Sequence, residues 1–205
     1  LLFCPTETAV ENLKREGITK GVHLTGDVMV DALQENIKIA EKHSKILEEW
    51  NLKPKAYYLA TVHRAENTDD FNRLREITTA FCEIENLVFP CHPRTEKRLK
   101  KIHLWNKLTE HVRVIQPVGY LEMLMLEKQA RKILTDSGGI QKEAYILKVP
   151  CITLRENTEW VKTVEDSWNV LVGCDKDKII KMANDFEPKE EQRDVFGSGD
   201  ARKVM

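Results

Sequence analysis

Two short stretches of the sequence concentrate groups that can do chemistry. The first, Thr61-Val62-His63-Arg64-Ala65-Glu66-Asn67, sets a hydroxyl, an imidazole, a guanidinium, a carboxylate and an amide side by side. An imidazole exchanges a proton near neutral pH and a guanidinium grips a phosphate through two parallel N–H donors. His63 is therefore a candidate proton carrier and Arg64 a candidate anion clamp. The second stretch, Leu134-Thr135-Asp136-Ser137-Gly138-Gly139-Ile140-Gln141-Lys142-Glu143, leaves an apolar run through two glycines and enters a helix. The free amides at a helix N-terminus, at the positive end of its dipole, suit phosphate. Gly138 and Gly139 allow close backbone approach, the Ser137 hydroxyl adds a donor, and Glu143 stands about a turn and a half further on, where an acid can accept from ribose hydroxyls. The alternative readings are a surface loop with a helix cap for the first stretch and a plain βα turn with a serine N-cap for the second. The crowding of polar groups favours a site in the first.

Two further clusters follow similar apolar runs. In Phe89-Pro90-Cys91-His92-Pro93-Arg94 the second proline suits the first turn of a helix, and His92 reads equally as structural or ligand-facing. Glu156-Asn157-Thr158-Glu159 is either a fourth edge of a pocket or a capped helix start. His23, His43, His103 and His111 lack such a context and read as solvated or packed side chains. The five cysteines, Cys4, Cys82, Cys91, Cys151 and Cys174, form no CxxC pair, so buried or free thiols in a reducing cytoplasm are expected, without a zinc or redox site.

The elements that must hold these clusters are legible as alternation. Short apolar, β-branched runs predict strands at 22–25, 56–61, 87–91, 112–115, 132–135, 151–154 and 169–172. Between them, helical spacings predict helices at 7–16, 28–50, 94–103, 121–129, 140–147, 159–165 and 176–186, with one more capped by Thr68 and carrying Phe71, Leu74, Ile77 and Phe81. Strands that alternate with helices pair in parallel, because a parallel neighbour cannot be reached by a tight turn. The expectation is an α/β doubly wound, Rossmann-like sheet, whose ligands sit at the carboxyl ends of the strands. That is where each cluster falls.

Composition removes other classes. Lys and Arg total 32 against 33 Asp and Glu, so no basic excess points to nucleic acid. With 41% hydrophobic residues the chain is too apolar for disorder, and its 32% charged residues interrupt every apolar run before it reaches membrane-spanning length. The 205 residues allow one large domain or one and a half.

Taken in order, the segments resemble the non-hydrolysing UDP-N-acetylglucosamine 2-epimerase family. The matching stretches are Cys4 to Glu7, Leu24 to Asp27 through Leu33, the His63 loop, His92-Pro93, Leu134 through Ala144, Arg155 through Glu159, and Phe196 to Ala201. The resemblance implies a two-domain arrangement of the glycosyltransferase type called GT-B. It also implies interconversion of UDP-GlcNAc and UDP-ManNAc by elimination and re-addition of UDP, a homodimer, and no metal or nicotinamide cofactor. By the match, Ser137, Gly138 and Gly139 hold the UDP phosphates, Glu143 the ribose, Met123 and Tyr120 the uracil, and His63 the diphosphate side of the reacting centre. Arg64 and His92 fall where bacterial relatives are associated with a second, regulatory UDP-GlcNAc.

The resemblance also implies boundaries: residues 1–25 as the last strand and helix of a mostly absent N-terminal domain, 26–188 as the nucleotide-sugar domain, and 189–205 as a tail that packs back on the N-terminal one. The acids that handle the C2 proton belong to that absent domain, so the chain by itself is expected to bind UDP without epimerising. Two departures stand out. Trp160 replaces an arginine that the family often uses for phosphate, which shifts the expected charge to Arg155, and Ser167-Trp168 replace a Gly-Thr pair. Competing expectations are a stand-alone UDP-sugar sensor, a hydrolysing epimerase and a GT-B glycosyltransferase.

Overall fold

Every β-branched run marked out by the sequence is a strand in the computed structural model, which describes residues 1–205. The chain forms two units, residues 1–43 with 192–205, and residues 44–191. In the first, β1 (Leu2–Cys4) and β2 (Val22–Leu24) pair in parallel around α1 (Glu7–Arg15), which Thr6 caps by accepting from the Ala9 amide. The helix α2 (Val28–His43) follows. The tail, ending in α12 (Ala201–Val204), lies along α2: the Asp27 amide donates to the Phe196 carbonyl and Asp31 accepts from the Ala201 amide. Gly197 has φ +88, and a Cβ there would stand 3.1 Å from the Gly26 Cα, so this crossing needs a glycine. The contacts thus divide the chain after His43, whereas the sequence reading drew its boundary at residue 26.

The second unit opens with α3 (Ile46–Glu49), so the predicted helix 28–50 is two helices. Its apolar spacing runs on past residue 43, but the Ser44 hydroxyl captures the Ile46 amide and ends the ladder. Then come β3 (Tyr58–Thr61), α4 (Ala65–Thr68), α5 (Phe71–Phe81), β4 (Leu87–Pro90), α6 (Pro93–Lys101), α7 (Trp105–His111) and β5 (Arg113–Ile115). The chain returns through α8 (Tyr120–Gln129), β6 (Lys132–Thr135), α9 (Gly138–Ile146), β7 (Cys151–Thr153), α10 (Val161–Glu165), β8 (Asn169–Leu171) and α11 (Lys176–Asp185). The cap of α5 is Asp70, not Thr68; Thr68 is buried and spends its hydroxyl on the Arg64 carbonyl. The helix α7 escapes sequence reading because Leu108 is its one buried residue and no side chain caps it.

The six strands are all parallel, in the order β5-β4-β3-β6-β7-β8. The chain builds outward from β3 to one edge, then crosses back to β6 and builds to the other edge. In such sheets the strand order reverses between the two central strands, and the crevice above their carboxyl ends receives the ligand. Here those ends are Thr61 and Thr135, paired in register and joined by their hydroxyls at 2.6 Å. Lys132, at the other end of β6, is fully buried, yet its ammonium donates to the Ala183 and Asn184 carbonyls at the end of α11, where a cation suits the dipole.

Ser167 has φ +58, the left-handed region that favours glycine, at the position where the resembling family carries one. The departure in sequence has therefore left the backbone requirement in place. Ser167→Gly is expected to raise stability by about 1 kcal/mol, seen as a thermal midpoint higher by about 2–4 °C. An unchanged or lower midpoint would remove the strain argument.

Candidate nucleotide site

The crevice between β3 and β6 is organised by a residue that the sequence reading left without a role. Asp136 is wholly buried, and its carboxylate accepts from the His63 amide at 3.1 Å, the Arg64 amide at 3.0 Å and the Asn67 side-chain amide at 3.1 Å. One carboxylate thereby ties the loop after β3 to the turn after β6. Asn67, also wholly buried, donates again to the Leu154 carbonyl and accepts from the Arg73 guanidinium, so it carries the same tie to the loop after β7. Thr95 of α6 closes the loop from the other side by donating to the Val62 carbonyl at 2.5 Å. Both Asp136 and Asn67 stood within the polar stretches. Their signal was an acid directly after an apolar strand and an amide at the end of the His63 run, and only the fold shows that these two meet.

His63 presents a half-exposed ring whose Nδ1 lies 3.6 Å from Asp136 Oδ1. At that distance the pair is an electrostatic contact without a hydrogen bond, with the carboxylate on the Nδ1 side of the ring. His92 stands nearby, with ring centroids 6.3 Å apart. Its Nδ1 accepts from the Arg94 amide, so His92 is the N-cap of α6 and still lines the site. The structural reading of this residue is met, and its ring also borders the cavity. Both histidines, Met123 and Ile140 line a cavity of about 160 Å³ at the strand ends.

Ser137 caps α9 by accepting from the Ile140 amide at 3.4 Å, and its own proton remains for a ligand. A Cβ built on Gly139 would meet nothing but the Ser137 hydroxyl, at 3.7 Å, whereas one on Gly138 would stand 3.5 Å from Arg64, Glu159 and Trp160, so this end of α9 is open at Gly139 and covered at Gly138. On the far wall, Tyr120 donates to Glu143 at 3.0 Å. Tyr120 lies one turn from Met123 on α8, and Glu143 one turn from Ile140 on α9, so the bonded pair adjoins the cavity. Burial raises the Glu143 pKa, against the Tyr120 hydrogen bond and the Lys142 charge. Behind it, Glu127 is wholly buried and neither of its carboxyl oxygens has a hydrogen-bond partner. Burial first, and the Glu143 charge second, push its pKa well above the usual carboxylate range. Nothing in its sequence context marks this acid out.

The arginines form the fourth wall. Glu159 accepts from Arg64 at 3.3 Å and from Arg155 at 2.9 Å, and Arg155 also donates to Asn157 at 3.0 Å. Trp160 takes no part in this cluster as a cation substitute. Its indole N–H donates to the Gly138 carbonyl at 2.8 Å and the Lys142 ammonium lies 4.5 Å from its ring centre. The residue in the arginine's place thus pins the 155–160 loop to the first turn of α9. Candidate residues from five separate stretches of sequence therefore converge on one crevice.

A family model described as UDP-N-acetylglucosamine 2-epimerase matches residues 1–205. A protein named UDP-N-acetylglucosamine 2-epimerase homolog, from Methanococcus maripaludis, is 54% identical over 98% of this chain, which spans 58% of that relative's length. A UDP-2,3-diacetamido-2,3-dideoxy-D-glucuronate 2-epimerase from Pseudomonas aeruginosa is 41% identical over 98% of the chain and is matched over 57% of its own length. Among solved structures, Methanocaldococcus jannaschii UDP-GlcNAc 2-epimerase in complex with UDP-GlcNAc and UDP superposes with a TM-score of 0.90 at 48% identity, over 99% of this chain and 59% of that one. No helix is long and apolar enough to cross a membrane. With the family model matched from end to end, this chain belongs to the UDP-N-acetylglucosamine 2-epimerase family.

Proposed function

We propose that this chain is the UDP-binding half of an enzyme that interconverts UDP-GlcNAc and UDP-ManNAc without net hydrolysis. The observation that carries the reading is the crevice at the reversal of strand order, where the N-terminus of α9 is uncovered at Gly139 and has the Arg64 guanidinium beside Gly138, with His63 on the same loop as Arg64. In the reaction a proton leaves C2 of the sugar while the C1–O bond breaks, its electron pair going to UDP. Re-addition of UDP after reprotonation on the opposite face gives the epimer. Negative charge develops on the departing diphosphate, and a helix dipole with a nearby His and Arg stabilises it.

In this reading the Ser137 hydroxyl and the amides of Gly138 and Gly139 hold the diphosphate, the Ser137 amide being taken by the Thr135 hydroxyl, with charge supplied by Arg64 and Arg155. His63 Nε2 meets the oxygen that breaks from C1. Glu143 accepts from the ribose, and Tyr120 and Met123 flank the uracil. Arg64 and His92 also offer a regulatory subsite. The C2 proton is handled by acids of a further domain, whose last strand and helix are residues 1–25. The nucleotide-sugar domain has its compact body in residues 44–191, and the tail 192–205 returns to residues 1–43. The reading extends to a cytoplasmic homodimer that uses no metal or nicotinamide. The M. jannaschii relative, solved with UDP-GlcNAc and UDP, supports it.

Titration calorimetry with UDP tests the reading. The chain is expected to bind UDP, while proton NMR of UDP-GlcNAc incubated with it shows no UDP-ManNAc. Glu143→Ala and His63→Ala are each expected to weaken binding by about tenfold or more, the value of a hydrogen bond to a charged group. Undiminished affinity in both variants would remove the site, and UDP-ManNAc formed by this chain would remove the need for acids elsewhere.

A further inference from the structure

The cations of the site are already occupied by a side chain. Glu159 bridges Arg64 and Arg155, and a Cβ built on Gly138 would lie 3.5 Å from both the Arg64 guanidinium and the Glu159 carboxylate. The carboxylate therefore rests beside the first residue of α9, at the helix end where negative charge is favoured. Arg155 is fixed in place, its side chain 8% exposed, and its Nε is buried with no partner. A carboxylate that leaves a buried guanidinium nitrogen unbonded is an incomplete match for that fork, and a phosphate group offers more acceptor oxygens. Glu159 itself is half exposed, with a side-chain accessibility of 48%, so it can swing outward.

We propose that Glu159 is an internal stand-in for the ligand's phosphate, holding Arg64 and Arg155 in position until a nucleoside diphosphate displaces it. This rests on the reading of the crevice as a UDP site and changes the expected role of Glu159 from substrate contact to competitor. Burial works to raise the Glu159 pKa. Hydrogen bonds from its own amide and from Arg155, with the charges of Arg155 and Arg64, prevail and hold it below the usual range. The stand-in is thus an anion, and a ligand must replace its charge. An uncharged nucleoside cannot do so, and a diphosphate can. Glu159 in this way sets a threshold of ligand charge for entry to the diphosphate position.

Calorimetry with UDP and with uridine on the wild-type chain, Glu159→Gln and Glu159→Asp decides the point. Glutamine keeps the shape and one acceptor but removes the competing charge. Its UDP affinity is expected to rise about tenfold in low salt and by less as salt screens the pairs, while uridine affinity stays unchanged. Aspartate is too short to reach both arginines and should fall between. Weaker UDP binding by Glu159→Gln would show that Glu159 touches the ligand, and equal binding would make it a bystander. Either result overturns the proposal while leaving the UDP reading intact. If neither wild type nor variant binds UDP, both fall together.

Discussion

Asp136→Ala is expected to cost about 3–5 kcal/mol of stability and to abolish UDP binding. The substitution strips one buried acceptor from three donors, the amides of His63 and Arg64 and the side chain of Asn67. Each buried donor left unpaired costs about 1–3 kcal/mol, more than the bond itself contributes when made. Part of that cost is relieved as the His63 loop moves outward to water, and that movement takes His63 and Arg64 away from α9. At about 2–4 °C per kcal/mol for a chain of this size, the thermal midpoint should drop by roughly 10 °C or more. Asp136→Asn, which keeps one oxygen but turns a donor toward donors, should lie between. A midpoint for Asp136→Ala within a few degrees of wild type would mean that the loop holds its position without the carboxylate.

Glu127→Gln is expected to act in the opposite sense and to depend on pH. In the folded chain Glu127 keeps its proton well above the ordinary carboxylate range, because it is fully buried and faces Glu143. Unfolded, it ionises in the ordinary range. Between those two limits the folded state binds more protons than the unfolded state, so stability falls as pH rises, by about 1.4 kcal/mol per pH unit. Glutamine has no such proton to keep. Thermal melts of both proteins should nearly coincide near pH 4.5 and separate as the pH is raised from there, with the variant the more stable. The other titratable groups that feel Glu127 are Tyr57, Tyr120 and Cys151, all of whose pKa values are raised, first by burial. A constant difference between wild type and variant across that pH range would mean that Glu127 is ionised in the folded chain.

Much of this architecture could be read from periodicity alone, since strands buried on both faces announce themselves as short β-branched runs. Where reading failed, the deciding contacts were local or distant in ways that spacing does not carry. The split of the 28–50 helix turns on a single serine hydroxyl, and the true cap of α5 on which of two neighbouring polar residues points at free amides. In the site, residue types marked out His63, Arg64 and the N-terminus of α9 as candidates, but not the partners that hold them. Asp136 and Asn67 lie 69 positions apart and meet because β3 and β6 are neighbours in the sheet. The occupied state of Arg64 and Arg155 was equally hidden, as Glu159 read as a helix cap or a ligand contact until its two bonds were seen.

The indole of Trp160 has a use beyond pinning a loop. It is bonded to the first residue of α9 and capped by an ammonium, whereas Trp168 donates to the Glu190 carbonyl and Trp105 lies under Lys100. Of the four tryptophans, the fourth being the exposed Trp50, Trp160 is the one that stands beside the proposed diphosphate position. A change in the emission of this one residue on addition of UDP is therefore the expected label-free sign that the proposed site is filled.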